Sequence, residues 1–294
     1  MAAFRDPRHG GMNSLMIVAA SMTDNFALAL EREGLIVLPG RPFVLTTDEA
    51  DLVSPRFSDG RAKNISLDPN GGGVRGAAPD LVAQSRLAAL MARYRAWAES
   101  LIKAEAPRYA PWLEPGRTSL RTREVAEGSE SSRRDDRRLH VDAFASQPTG
   151  GRRILRVFTN INPAGEPRIW RMGEPFEAHA RRWAIGLRRP WPGEAWLLSR
   201  LGVTRAARTP YDTLMLGLHD ASKLDVRYQR EAPCREVAFP AGTSWTVYTD
   251  STVHAAISGR FCLEQTFYLP LEAMADPQAS PARILERMVG RRLC

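Results

Sequence analysis

Cysteine is scarce: Cys234, Cys262 and Cys294 form no Cys-x-x-Cys pair and no zinc-like spacing. Neither a disulfide framework nor a structural zinc site is expected, and a reducing compartment suits the chain. Long apolar runs are also missing. The run from Leu15 to Ala20 is shorter than a signal-peptide core and far short of the roughly 20 residues of a membrane span, so no targeting or spanning segment is expected. There is no RNP, KH or helix-turn-helix pattern, which argues against nucleic acid as a partner. Histidines number five, at 9, 140, 179, 219 and 254, so a metal site has few ligands to choose from.

What is present is ordinary globular stock: 294 residues, 44% apolar and 25% charged, enough for a sizeable core. The formal charge of +8 implies an anionic partner. Between residues 151 and 240, 16 Arg and Lys face 9 Asp and Glu, a balance of +7 that supplies nearly all of the excess. There Arg181, Arg182, Arg188 and Arg189 interleave with Trp170, Trp183, Trp191 and Trp196, followed by Arg200, Arg205 and Arg208. Such a mixture suits a phosphate-bearing lipid interface, since indoles sit at headgroup depth and guanidinium binds phosphate. Solvated arginines around core tryptophans are the competing reading.

Hydrophobic spacing places a helix over 22–33 and two short strands in LIVLPGRPFVLT (35–46). A glycine-rich turn segment follows, SLDPNGGGVRGAAPD (66–80). The clearest helix runs from Pro79 to about Ala106, with Leu87, Leu90, Met91, Tyr94, Ala98, Leu101 and Ile102 on one face. RTSLRTREV (117–125) alternates as a strand, putting Arg117, Ser119, Arg121 and Arg123 on one side. TPYDTLMLGLHDASKLD (209–225) reads as a helix, where the adjacent His219 and Asp220 do not face a common metal. From Gly242 strand patterning returns until about Pro270, and a short amphipathic helix closes the chain.

The chemistry concentrates in RRLHVDAFASQPTGGRRILRVFTNIN (137–162). His140 and Asp142 flank Val141, and on a strand that spacing sends both side chains to one face. Joined by a distant second histidine, they make the two-His-one-carboxylate facial triad of non-haem Fe(II), which leaves coordination positions open. His254 is the best third ligand, because its face neighbours Thr252 and Ala256 are small and leave room for a ligand. Arg156 falls among apolar residues on the next strand. A buried guanidinium needs a partner, and two explanations compete: an ion pair with a protein acid, or bidentate capture of a cosubstrate carboxylate.

Four stretches together resemble the Kdo hydroxylase family: AKNISLDPNGGGVRG (62–76), RRLHVDAFASQPTGGRRILRVFTNINP (137–163), RTPYDTLMLGLHDASK (208–223) and SWTVYTDSTVHAAISGRFCLEQTFYLP (244–270). These are Fe(II)- and 2-oxoglutarate-dependent dioxygenases acting on the 3-deoxy-D-manno-oct-2-ulosonic acid (Kdo) sugar of lipopolysaccharide. The resemblance implies a double-stranded β-helix (jelly-roll, cupin-like) core over about 110–270. A helical buttress over about 21–110, a C-terminal helix over about 280–292 and a flexible lead over 1–20 complete the expected layout. The resemblance also implies Fe(II) on His140, Asp142 and His254, with 2-oxoglutarate and O2 as cosubstrates. Arg156 is then the anchor for 2-oxoglutarate, with Asn160 as a neighbouring donor and Arg121 and Arg260 as further candidates. No Arg or Lys follows His254 at the offset that many dioxygenases use for this purpose. His219, Lys223 and Arg208 become possible substrate contacts. The implied acceptor is Kdo-lipid A, met by a cytoplasmic enzyme held peripherally at the inner face of the inner membrane. A dioxygenase of the same fold on another polyanionic target, a protein or nucleobase, and a non-catalytic cupin-like binding module are the other readings that the residues allow.

Overall fold

The structure, a computed structural model, describes residues 26–125, 131–184, 186, 191 and 193–294. The lead over 1–20, the capping residues 23–25, His9, Arg188 and Arg189 lie outside these. In chain order the elements are α1 (Phe26–Glu33), β1 (Leu35–Leu38), α2 (Thr47–Ala50), β2 (Ile65–Leu67), α3 (Leu81–Glu105), β3 (Glu114–Arg121), β4 (Arg153–Asn160) and β5 (Arg168–Met172). Then follow α4 (Phe176–Trp183), α5 (Glu194–Arg200), α6 (Pro210–Leu224), α7 (Val226–Glu231), β6 (Arg235–Phe239), β7 (Ser244–Tyr248), β8 (His254–Ser258), β9 (Cys262–Leu269) and α8 (Pro281–Val289).

Two antiparallel sheets carry the fold. The larger has the order β1-β7-β4-β9-β3-β2 and the smaller β6-β5-β8. An isolated antiparallel bridge between His140 and His254 adds the His140 segment to the free edge of β8. The sheets face each other as a jelly roll, and period-2 alternation decides what enters the space between them. Phe158 of β4 meets Trp170 of β5 across that space at 5.1 Å, and Trp170 meets Trp245 of β7 at 5.7 Å. The expectation of Trp170 on a lipid-facing surface is therefore wrong: it is 2% exposed and belongs to the core. Its alternation on β5, with Arg168 and Met172 on the same side, turns it inward.

The outer face of the large sheet is covered by α3. Asp80 caps that helix by accepting from the Ala83 amide at 3.0 Å, and Pro107 follows its end. The stripe Leu87, Leu90, Met91, Tyr94 and Ala98 is buried. Full burial of each large apolar side chain in it is worth about 1.5–3 kcal/mol. Tyr94 also donates its hydroxyl to the Val157 carbonyl at 3.2 Å, so the helix is pinned to β4. The small sheet is backed by α4, α6 and α8, where Leu139, Val141, Val253 and Ala255 pack against Phe176, Met215, Leu218 and Leu285. The apolar residue between His140 and Asp142 thus fixes which way both ligands point.

The glycine-rich segment forms a short hairpin, with Ser66 and Arg75 bridged, and it brings Asp68 to 4.0 Å from Arg205. Gly259 has φ +110, and a Cβ there would lie 2.9 Å from the Arg168 Cα. Glycine is required at this turn for both reasons.

Candidate metal centre

His140 and His254 face each other across the bridge. His140 donates its amide to the His254 carbonyl at 3.0 Å, and the reverse bond is 2.9 Å. Their ring centroids are 4.7 Å apart. Asp142 is held two residues further on by its amide, which donates to the Thr249 carbonyl at 2.8 Å. One nitrogen of each imidazole is committed: His140 Nδ1 lies 2.6 Å from the Arg138 carbonyl and His254 Nδ1 lies 2.8 Å from the Thr252 carbonyl. A carbonyl accepts only, so both Nδ1 atoms carry the proton and both Nε2 lone pairs are free for an ion. The ligand atoms of His140, Asp142 and His254 lie within 4.8 Å of one another.

Charge state agrees with this geometry. Burial pushes His140 down to about 3, against a smaller upward pull from Asp142. Burial lowers His254 as well. For Asp142, burial works toward the neutral acid, but Arg156 and His140 overcome it and hold the carboxyl well below the usual range. Two neutral imidazoles and one carboxylate at pH 7 suit a first-row divalent ion with open positions. The residues present fit Fe(II). Trp170 stacks on the His254 ring at 5.0 Å and 24°, and His219 meets the His140 ring edge-on at 5.4 Å and 90°. Both rings are fixed by packing as well as by hydrogen bonds.

Arg156 stands beside the triad, opposite Thr266 in the β4–β9 register. Its guanidinium lies 2.9 Å from Asp142 Oδ2 and 2.9 Å from Glu264 Oε1, with 15% of the side chain exposed. Its Nε is buried without a hydrogen-bond partner. The guanidinium therefore pairs with protein acids and still has an unused donor.

Asn160 does not reach this site. Its Nδ2 donates to the Glu166 and Phe239 carbonyls, each at 2.9 Å, and its Oδ1 accepts from the Asn162 amide at 3.0 Å. Every donor is spent on the turn after β4, so the expectation of a cosubstrate donor is corrected to a structural role. Arg260, the lower-ranked candidate, is placed at the β8–β9 turn, 39% exposed, with its Nε 4.0 Å from Glu124. Arg121 points inward as expected and pairs with Asp136 at 2.8 Å, which Lys63 also contacts at 2.5 Å.

The sequence reading missed Arg168. It is 3% exposed and shares the inward face of β5 with Trp170 and Met172. It donates to the Gly259 carbonyl at 3.0 Å, its Nε has no partner, and no carboxylate among the described residues lies within ion-pair distance. The signal was available: in RIWRM, period 2 puts this arginine on the same side as Trp and Met.

The helix α6 lies over His140. His219 is held by Asp220, its Nδ1 at 3.0 Å from Oδ1. Lys223 is 2% exposed, donates to the Arg133 carbonyl at 3.2 Å, and has its pKa lowered by burial. Arg208 donates to the Ala145 carbonyl at 2.5 Å, three residues beyond Asp142. His219 and Lys223 are thus brought near His140 and Asp142, and Arg208 to the segment that follows Asp142, none of them as part of the convergent ligand set.

No helix among the described residues is long and apolar enough to cross a membrane. No curated protein matches the chain by sequence. The sequence profile of 3-deoxy-D-manno-oct-2-ulosonic acid (Kdo) hydroxylase matches residues 16–292. Among solved structures, the Kdo hydroxylase KdoO, a non-haem Fe(II) α-ketoglutarate-dependent dioxygenase, in complex with α-ketoglutarate and Fe(III), is similar at TM-score 0.87. That match is 40% identical and covers 92% of this chain and 91% of that one. The cobalt(II) complex of KdoO is similar at TM-score 0.88 and 41% identity, with 92% and 91% covered. The complex with succinate and Fe(III) matches at TM-score 0.87 and 40% identity, again with 92% and 91% covered. With its jelly roll, its convergent His-Asp-His set and these matches over nearly its whole length, the chain belongs to the Kdo hydroxylase family.

Proposed function

We propose that this chain is an Fe(II)- and 2-oxoglutarate-dependent dioxygenase that hydroxylates C3 of the Kdo sugar of Kdo-lipid A, working at the inner face of the inner membrane. The observation that carries the reading is the triad whose two Nδ1 atoms are tied to carbonyls, leaving two Nε2 atoms and one carboxylate convergent. Bound Fe(II) supplies activation of O2, with 2-oxoglutarate leaving as succinate and CO2 and one oxygen atom passing to the sugar. The protein's part is to bind and orient. His140, Asp142 and His254 hold the metal, and the stacked Trp170 and edge-on His219 keep the two rings from turning.

Arg156 binds the distal carboxylate of 2-oxoglutarate through donors that now serve Glu264 and its unused Nε. A planar guanidinium is shaped for this bidentate contact. Arg168, the buried cation without an acid, is the second positive group on the inner wall, and its field favours the same dianion. Lys223, His219 and Arg208 face the acceptor from α6 and its preceding segment, where Lys223 and Arg208 supply positive charge for the sugar carboxylate and phosphates. Burial lowers the Lys223 pKa. The nearby Asp136 and Asp142 oppose that shift and favour the ammonium form.

The test is product analysis. Protein reconstituted with Fe(II) under anaerobic conditions is given 2-oxoglutarate, labelled O2 and Kdo-lipid A. The expected result is a Kdo residue heavier by one labelled oxygen. Consumption of 2-oxoglutarate with no change in the sugar would move the function to a dioxygenase acting on another polyanion.

A further inference from the structure

The segment around α5 differs from the rest of the helical layer. Among described helices of six residues or more, each of the others buries at least one residue, whereas α5 buries none. Yet it is not polar. Trp191 is 50% exposed, Trp196 64%, Leu197 37%, Leu201 66% and Val203 52%. Scattered single apolar residues on a surface are ordinary, but five within one short segment make a patch that calls for a partner.

The segment is anchored at one end. Arg205 donates its amide to the Ser146 carbonyl at 2.9 Å, and Arg208 donates to the Ala145 carbonyl at 2.5 Å. Those acceptors lie three and four residues beyond the metal ligand Asp142, so the apolar patch is tethered to the segment that follows that ligand. Arg200, Arg205 and Arg208 against Glu194 give residues 191–208 a net charge of +2.

We infer that α5 and its flanks, from Trp191 to Val203, are a lipid-inserting element that seats the rim of the metal centre on an anionic bilayer. Indole and aliphatic side chains enter the acyl boundary while Arg200 and Arg205 meet headgroup phosphates. This division of labour fits amphipathic membrane-surface segments. The inference rests on the proposed function for its purpose. An acceptor with acyl chains remains in the bilayer while its sugar is presented to His140, Asp142 and His254. Charge complementarity selects this occupant over a second copy of the same chain, whose segment 191–208 carries the same +2.

The test uses full-length protein and vesicles of phosphatidylglycerol and phosphatidylethanolamine that contain no lipopolysaccharide, so it does not depend on the substrate. Wild type is expected to co-sediment with these vesicles, more weakly at high salt and more weakly with phosphatidylcholine alone. The double variant Trp196→Ser, Leu201→Ser should lose affinity by roughly a hundredfold, about tenfold per large apolar side chain withdrawn, with an unchanged thermal melt. As a milder probe, the double variant Trp191→Phe, Trp196→Phe should keep binding but lose most of the fluorescence quenching by brominated lipids. Absence of vesicle binding by wild type, equal binding by the double variant, or a dimer in light scattering that the double variant dissolves would each overturn the inference. If the protein made no succinate from 2-oxoglutarate, the functional reading would fail while the vesicle result still stood.

Discussion

Two arginines, one buried and one partly buried, sit three positions apart on β4, and their surroundings differ in a way that separates structure from function. Arg153 is fully buried, and each of its guanidinium nitrogens has a partner. It contacts Asp250 at 2.7 and 3.1 Å, Ser251 Oγ at 2.8 Å and Met274 Sδ at 3.5 Å, over the Tyr248 ring at 3.9 Å. Arg156, on the other face, shares itself between the metal ligand Asp142 and Glu264, keeps Nε unpaired and is 15% exposed. A charge whose every nitrogen has a partner stabilises one conformation. A charge with a donor in reserve, beside a metal ligand, is placed to exchange partners when an anion arrives.

The contrast can be broken most sharply at Arg153. Arg153→Met leaves Asp250 buried and unpaired, and loss of one partner of a buried pair costs about 3–5 kcal/mol. A thermal melt should fall by far more than for Arg156→Gln; equal losses would show that both arginines are merely structural.

Histidines extend the same comparison with pH. His179, buried against Tyr228 at 3.0 Å, is pushed down to about 4 by burial, and His140 to about 3. Both pKa values lie below those of the unfolded chain, so the unfolded state binds more protons as pH falls. Stability of the metal-free protein is present above pH ~6.5 and declines toward pH 4, on the order of 3 kcal/mol from His179 alone. Adding Fe(II) should offset the His140 share only. Flat denaturation midpoints across that range would contradict the buried neutral state of both rings.

At Arg156 itself the expected effect is kinetic. Removing a charged hydrogen bond of about 1.5–3 kcal/mol from the cosubstrate predicts a rise in the KM for 2-oxoglutarate of about 10- to 100-fold in Arg156→Gln. An unchanged KM would transfer the anchoring role to Arg168. The smallest effect belongs to Asn160→Ala, which should cost about 1–2 kcal/mol of stability while leaving that KM alone.

Much of this was legible in the sequence where the signal is local. The His-Val-Asp triplet needs only period 2 to converge, and small neighbours around His254 marked a face with room for a ligand. Arg121 and the stem of Arg156 were readable from the same alternation. What was not legible depends on register between distant strands. Only the pairing of β4 with β9 puts Glu264 beside Arg156, and only the turn after β4 consumes the Asn160 amide. Arg260 falls at a turn whose direction is set by Gly259 and by Phe261, with φ +110 and +57. Trp170 was grouped with its arginine-rich neighbours by composition, whereas alternation on β5 turns it onto His254.

The central claim is that His140, Asp142 and His254 form an iron site that serves a Kdo acceptor. The most direct measurement is succinate formation from 2-oxoglutarate in the Fe(II)-loaded protein, with and without Kdo-lipid A, beside His140→Ala. Turnover that requires both iron and Kdo-lipid A and is lost in the variant is the expected result. Turnover unchanged in His140→Ala, or no iron bound by the wild type, would contradict it.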